Sequence, residues 1–274
     1  RDEIEYALAR AREFVTASSA RRWTDVLVVV PDVRRYRAPI EQVGKELGVP
    51  VRVRGTLPLS QSPLVQGAMA FLRAASTFEL GPLLVAAACP AFGLDPDEAD
   101  RLARAARRSG LPATGSPELW VELGRELGGR AALFLRQALE LGRALNHVTE
   151  EPRSGRVTTG PGCREARRTL EPLLRASGVA RLCQETTQEA VAEAAAEVAA
   201  RRDLLALLAD LERLDVPVCG GGQSEPAQHL LARIEEEVRS CDTRPLDRRR
   251  HVVHVVDARE ARAWEADLVL VLGL

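Results

Sequence analysis

Four aliphatic runs stand out from the polar background of this sequence, two near its start and two near its end. Val26–Val30 and Val49–Val53 enclose Tyr36–Leu47, whose apolar residues recur on one helical face. Val253–Val256 and Leu268–Leu272 form the second pair of runs. Short unbroken aliphatic runs are typical of strands covered on both faces, as in a parallel sheet. The strand–helix–strand order of the first pair predicts a βαβ unit with a right-handed crossover.

The long middle of the chain has the periodicity of amphipathic helices. Three helix starts carry a polar acceptor residue directly before a proline, the preferred order at a helix amino terminus: Ser62–Pro63, Asp95–Pro96 and Ser116–Pro117. Residues 151–163 are rich in glycine and proline and predict a loop. A long helix ending near Leu214 carries Glu189, Glu193 and Glu197 at four-residue spacing, which predicts one solvated acidic face.

These elements predict an α/β fold plus an all-α insert. Residues 1–57 and 251–274 are expected to form one partial, discontinuous parallel-sheet domain. Residues 58–250 are expected to form a helical subdomain that interrupts it. The two ends of the chain then meet as neighbouring strands of a single sheet.

Composition narrows the class of protein. With 46% hydrophobic and 28% charged residues, the chain suits a globular protein with a core. A net charge of −1 gives no overall attraction to nucleic acid, so any such contact needs a local basic patch. The cysteines lie far apart without a C-x-x-C pair, which disfavours a zinc site. Their odd count and the lack of a signal peptide favour the cytoplasm, and no apolar run predicts a membrane span.

The last 22 residues, VHVVDAREARAWEADLVLVLGL, hold the most informative pattern of the chain. Two aliphatic strands flank a polar link, DAREARAWEAD, with a charge at nearly every second position. In open α/β sheets such links leave the carboxyl ends of the strands, where ligands bind. The sequence stops at Gly273–Leu274, directly after a strand, so we expect it to be part of a longer protein.

This segment resembles motif V of UvrD-like superfamily 1 DNA helicases. That motif is a hydrophobic strand, the pattern T-x-H-x-x-K-G-L-E, and a second hydrophobic strand that ends in glycine. Laid over it without gaps, the chain keeps both strands, the glutamate as Glu265 and the final glycine as Gly273. The polar signature is mostly replaced, because the threonine, histidine and lysine positions hold Asp257, Arg259 and Arg262. The inner glycine and leucine are also replaced, by alanine and tryptophan.

Residues 26–55 are similar to motif IV of the same helicases. In that family an arginine directly after the first strand reaches the nucleotide phosphates. Here the position holds Pro31, which has neither a charge nor an N–H donor. Arg34, Arg35 and Arg37 follow closely, but helix geometry directs them to different sides.

The chain keeps the flanking strands of these motifs but has lost most of their polar residues. In this combination it looks like the helicase-like AddB-type subunit of AddAB helicase–nucleases. The resemblance implies a second RecA-like domain with an inserted helical subdomain. It also implies a role in double-strand-break processing and recombinational repair. In that family the AddB-type subunit holds or scans single-stranded DNA, while an AddA-type partner subunit hydrolyses ATP. Neither a Walker motif nor a nuclease motif is present. We therefore expect no cofactor here, with ATP and Mg²⁺ belonging to the full-length complex.

The resemblance and the residues themselves leave two interpretations at each candidate position. In the family the residue equivalent to Glu265 lies near the nucleotide ribose; a plain carboxylate that caps the turn or pairs with Arg262 is the alternative. Arg259 and Arg262 stand where the family contacts DNA, and arginine there suits a phosphate. Asp257 would repel one. A solvated charged turn is the alternative for both arginines.

Three further features complete the candidates. Arg248, Arg249 and Arg250 form a basic run at the domain junction, suited either to DNA phosphates or to a solvated linker. His251 and His254, three apart in an extended segment, face opposite sides and are expected to be structural rather than metal ligands. Trp264 is a packing residue or a platform for a DNA base.

Two other functions fit the same sequence. One is an active ATP-dependent DNA helicase with divergent motifs IV and V, whose phosphate loop would lie in another part of the protein. The other is a helical protein-interaction domain without DNA contact, presenting its acidic helix face.

Overall fold

The computed structural model describes residues 1–108, 116–150, 159–184, 188–214, 226–244, 249 and 251–273. The chain divides into two compact units. One consists of residues 1–57 and 246–274, and the other of residues 58–245. The return to the first unit thus lies five residues before the position expected from the sequence.

The described residues form ten α-helices and six strands, labelled in chain order. They are α1 (Asp2–Thr16), β1 (Val26–Val30), α2 (Val33–Leu47), β2 (Val51–Val53), β3 (Leu57–Pro58), α3 (Pro63–Thr77), α4 (Leu80–Ala88), α5 (Pro96–Arg108), α6 (Pro117–Leu127), α7 (Gly129–Glu150), α8 (Thr159–Gln184), α9 (Gln188–Leu214), α10 (Pro226–Ser240), β4 (Asp242–Thr243), β5 (Val253–Asp257) and β6 (Leu268–Val271). None of these helices is long and apolar enough to cross a membrane.

The sheet of the first unit joins the two ends of the chain. Its strand order is β2-β5-β1-β6, and all three pairings are parallel. Val28 of β1 lies opposite Val255 of β5 on one side and Leu270 of β6 on the other. The short pair β3–β4 forms a separate two-stranded sheet. The prediction of a parallel sheet combined with a helical insert is therefore confirmed.

The two faces of the four-stranded sheet are covered differently. On one face, Val28 belongs to the larger of two hydrophobic clusters, which also contains Leu8 of α1 and Ile40 of α2. On the opposite face, Leu27 and Val29 of β1 belong to a small cluster with Trp264 and its neighbours in the link between β5 and β6. In the described part of the sheet unit, residues of this link pack against that face.

The expectation that Leu268–Leu272 is buried on both faces is wrong. Val269 and Val271 are 51% and 48% exposed, while Leu268 and Leu270 are half-buried against the α1–α2 face. The reason is position, since β6 has only one neighbour among the described strands. An aliphatic run has the same pattern at a sheet edge as in a sheet centre.

Several helix boundaries differ from the sequence prediction. α2 begins three residues early because the Asp32 carboxylate accepts a hydrogen bond from the Arg34 N–H at 2.9 Å. α8 begins at Thr159, so the final five residues of the predicted loop 151–163 are helical. Of the predicted acidic face of α9, Glu193 is exposed and Glu197 is half-buried, while the side chain of Glu189 lies outside the described ones.

The core of the helical unit is built around three phenylalanine rings. Phe71 of α3 is fully buried, with ring centroids 5.1 Å from Phe92 and 5.3 Å from Phe134. Phe78, at the carboxyl end of α3, has a φ of 54° and meets the buried Trp120 edge-on at 5.6 Å. Aromatic pairs at these distances add to the burial of apolar area.

A charged cluster ties α8 to α9. Glu212 accepts hydrogen bonds from Arg164 at 2.7 Å and from Arg167 at 2.8 Å. The two arginines hold the pKa of the Glu212 carboxyl below its ordinary value of 4.5. Nearby, burial raises the pKa of the Cys163 thiol to about 12, with a smaller contribution from the charge of Glu212. That cysteine is therefore a packing residue rather than a nucleophile.

The Glu212 cluster makes the stability of the helical unit depend on pH. Since the folded pKa of Glu212 lies below the unfolded one, its contribution is full above pH 4.5 and is lost as the pH falls through the folded pKa. Glu212→Gln should lower the free energy of unfolding at about pH 7 and change it little at about pH 3. Urea unfolding at both values checks this. Glu140→Gln, which removes an exposed pair with Arg136, should have little effect at either pH; an equal loss for the two variants would contradict the cluster's role.

Candidate site at the carboxyl end of the sheet

The carboxyl ends of β1 and β5 lie side by side. Val30 and Asp257 are paired in the parallel register, and the Ala258 N–H donates to the Val30 carbonyl at 3.2 Å. The chain leaves β1 through Pro31 into α2, and leaves β5 into a 3-10 turn, Glu260–Ala263. Adjacent parallel strands therefore deliver two helical amino termini to one edge, the usual location of ligand sites in such sheets.

Each of these amino termini is capped by its own carboxylate. Asp257 accepts hydrogen bonds from the Arg259 N–H at 2.7 Å and the Glu260 N–H at 2.9 Å. Asp32 accepts the Arg34 N–H at the start of α2. Backbone N–H groups at helix starts are what usually binds a phosphate. Here the Asp257 carboxylate occupies two of these N–H groups and the Asp32 carboxylate occupies one, and each carboxylate adds a negative charge.

Arg259 lies two residues after the Asp257 cap, Arg262 lies in the 3-10 turn after it, and both are exposed. Within the described part of the chain, neither guanidinium forms an ion pair or a hydrogen bond. An exposed guanidinium without such a contact is suited to an oxyanion such as a phosphodiester. These two predicted site residues are thus brought to one short turn.

The structure places Glu265 elsewhere. It is exposed and stands two residues before Asp267, whose N–H donates to the Asp25 carbonyl at 2.9 Å, directly before β1. The link has by then crossed the sheet, so Glu265 lies toward the amino end of the strands. In the described residues it neither caps the turn nor pairs with Arg262.

Of the predicted basic run, only Arg249 lies within the described residues; Arg248 and Arg250 lie outside them. Arg249 is half-buried, and its guanidinium donates to the Val51 carbonyl of β2 at 2.9 Å. Its own carbonyl accepts a hydrogen bond from Arg52 at 3.4 Å. Arg249 therefore fastens the returning chain to the outer strand β2.

No protein-family model matches this chain, and no curated protein matches its sequence.

Trp264 packs on the sheet rather than presenting a free ring. Its ring centroid lies 4.6 Å from that of His254, and the Arg54 guanidinium lies 4.5 Å from it. Arg52 and His254 are register partners, so Arg54 and His254 share one face of the sheet. This contact set favours the packing interpretation over a platform for a base. His251 is exposed and His254 buried.

Sequence reasoning missed the role of Arg37. Its side chain is 11% exposed, pairs with Glu41, and donates to the carbonyls of Val53 at 3.0 Å and Gly55 at 3.4 Å. It therefore holds the carboxyl end of β2 in place. Its position one turn into α2, within reach of the next strand, was the available signal. Among the described residues, no group of three or more histidine, cysteine or acidic side chains could hold a metal ion.

Proposed function

We propose that this chain is part of a helicase-like subunit of a DNA helicase–nuclease complex, of the AddB type. In this proposal its sheet unit is a RecA-like second motor domain that holds DNA without hydrolysing a nucleotide. The complex acts in the cytoplasm in double-strand-break processing and recombinational repair. An AddA-type partner subunit supplies the motor that uses ATP and Mg²⁺. The observation that carries the proposal is the exposed Arg259–Arg262 turn at the carboxyl edge of a sheet built from both chain ends.

The same edge does not fit a nucleotide phosphate. After β1 stands Pro31, which has no donor, and the Asp32 carboxylate occupies the Arg34 N–H. After β5 the Asp257 carboxylate occupies two further N–H groups. A phosphate would have to displace these carboxylates or approach them against like charge. This supports a degenerate nucleotide site.

A phosphodiester strand makes different demands from a nucleotide. It needs cations at the surface rather than an enclosed cradle, and its affinity comes mostly from neutralised phosphates. Arg259 and Arg262 meet that requirement because both are exposed and uncommitted in the described structure. The net charge of −1 confines the attraction to such local patches.

Fluorescence anisotropy with labelled thymidine oligonucleotides of about 20 residues tests the proposal. The double variant Arg259→Ala/Arg262→Ala should bind at least about tenfold more weakly at about 50 mM salt. Its plot of log affinity against log salt should be shallower by about 1.4, because each lost single-strand contact removes about 0.7. Asp257→Asn keeps the capping oxygen, removes one negative charge, and should bind more tightly than wild type.

The matched control is Arg101→Ala/Arg104→Ala in α5, which removes the same charge from exposed positions of the helical unit. An equal loss for the two double variants would show that binding depends on net charge alone. No binding by the wild-type chain at low salt would instead favour a protein-interaction domain without DNA contact. ATP hydrolysis by the isolated chain would overturn the degenerate site.

A further inference from the structure

The helical unit carries an open groove of about 410 Å³ between α3, α4 and α10. Its base is formed by the buried Val65 and Val238, and Met69, Pro82 and Val85 stand along its sides. Val85 is 58% exposed and contributes apolar surface to the groove. The groove therefore presents apolar surface between three helices, a shape that accepts a further helix.

The lining of the groove carries one more positive than negative charge. Glu235 pairs with Arg73 and with Arg239, the latter at 3.2 Å. The Glu235 side chain is 18% exposed, whereas those of Arg73 and Arg239 are 50% and 69% exposed. Two guanidinium groups thus share one carboxylate and keep accessible donors. The local excess of one positive charge contrasts with the chain's net charge of −1.

The composition of the lining distinguishes between classes of partner. None of the described residues that line the groove is aromatic. A nucleic-acid strand held by its bases uses aromatic rings as stacking surfaces. Aliphatic walls instead suit aliphatic side chains, such as the leucines that a helix presents at three- and four-residue spacing. The exposed arginines suit a carboxylate beside them.

We propose that this groove binds an acidic amphipathic helix of a partner protein. The aliphatic residues of that helix contact Met69 and Val85, and its carboxylates contact Arg73 and Arg239. This surface lies within the helical unit and is independent of the arginines at the sheet edge. The proposal therefore adds a protein-docking role to the chain, and it does not depend on the DNA-binding proposal.

Met69 makes the groove directly observable, because it is the only methionine in the sequence. Methyl-¹³C-methionine labelling gives a resonance that reports on this site. The first probe is a synthetic helical peptide of leucine, glutamate and alanine with leucines at positions i, i+3, i+4 and i+7. The second has every glutamate replaced by lysine, and the third is oligothymidine.

The acidic peptide should shift the Met69 resonance and bind at least about threefold more tightly than the lysine peptide. Val85→Asp should abolish this binding, whereas the control Val191→Asp on α9, also at an exposed valine, should not. Arg239→Glu should reverse the preference between the two peptides. The proposal is overturned by no shift with either peptide up to about 1 mM, by equal affinity for both, or by tighter binding of oligothymidine at Met69.

Discussion

Gly142→Ala should lower the free energy of unfolding of the helical unit by about 3 kcal/mol, although alanine is the better helix former. A Cβ at Gly142 of α7 would lie 2.3 Å from the Ala75 carbonyl oxygen and 2.9 Å from the Phe78 ring. The nearest atom belongs to backbone, so no side-chain rotation relieves the clash and α3 must move away from α7. Close-packed interiors resist such movement.

Gly124→Ala is the matched control and should have the opposite sign. A Cβ at Gly124 in α6 would lie 3.8 Å from Leu135, an ordinary contact. Alanine there should raise the free energy of unfolding by about 0.5–1 kcal/mol through helix propensity alone. Denaturant unfolding followed by helical circular dichroism measures both variants. Equal effects of one sign would show that α3 and α7 are not in close contact at this position.

Phe71→Ala should cost about 3–5 kcal/mol, because it removes a large fully buried ring and leaves a cavity. Phe71 is 0% exposed and lies within 5.3 Å of the Phe92 and Phe134 rings, measured between centroids. Deleting it removes both ring contacts as well as the buried area.

Phe14→Ala removes the same side chain from a half-buried site. That ring lies in α1, with the Arg21 guanidinium 4.1 Å from its centroid. The expected loss is about 1 kcal/mol, from partial burial and one cation–π contact. Urea unfolding followed by circular dichroism compares the two variants. A Phe71→Ala loss no larger than that of Phe14→Ala would contradict the central place of the ring cluster.

Local signals were sufficient for much of the fold. The start of α5 is a reciprocal box, in which Asp95 accepts the Glu98 N–H at 2.7 Å and Glu98 accepts the Asp95 N–H at 3.2 Å. Ser116 caps α6 with a single hydrogen bond, which it accepts from the Leu119 N–H. These side chains act on their own backbone, so a short stretch of sequence contains the whole interaction.

Other features depend on partners distant in sequence, and no local pattern encodes them. Gly162 looks like a loop residue, yet it lies in α8 where a Cβ would come 2.3 Å from Leu230 of α10. Val269 carries the strand pattern whether or not a neighbour covers it.

The candidate site likewise contains features that follow from local sequence and features that depend on distant partners. The parallel-sheet rule places Arg259 at the ligand edge. The distance of Glu265 from that edge follows from the path of the link. The hydrogen bond of Arg249 to β2 likewise follows from how the returning chain crosses the sheet.

Because β1 pairs only with β5 and β6 among the described strands, its partners lie more than about two hundred residues later in the chain. On the ribosome, the first strand and its helix emerge long before either neighbour exists, and non-local strand pairing of this kind is slow. The helices of residues 58–245, which have a core of their own, are all translated before β5. The valines of β1 therefore lack their strand partners until β5 and β6 have been translated. Until then they are accessible to chaperones and prone to aggregation.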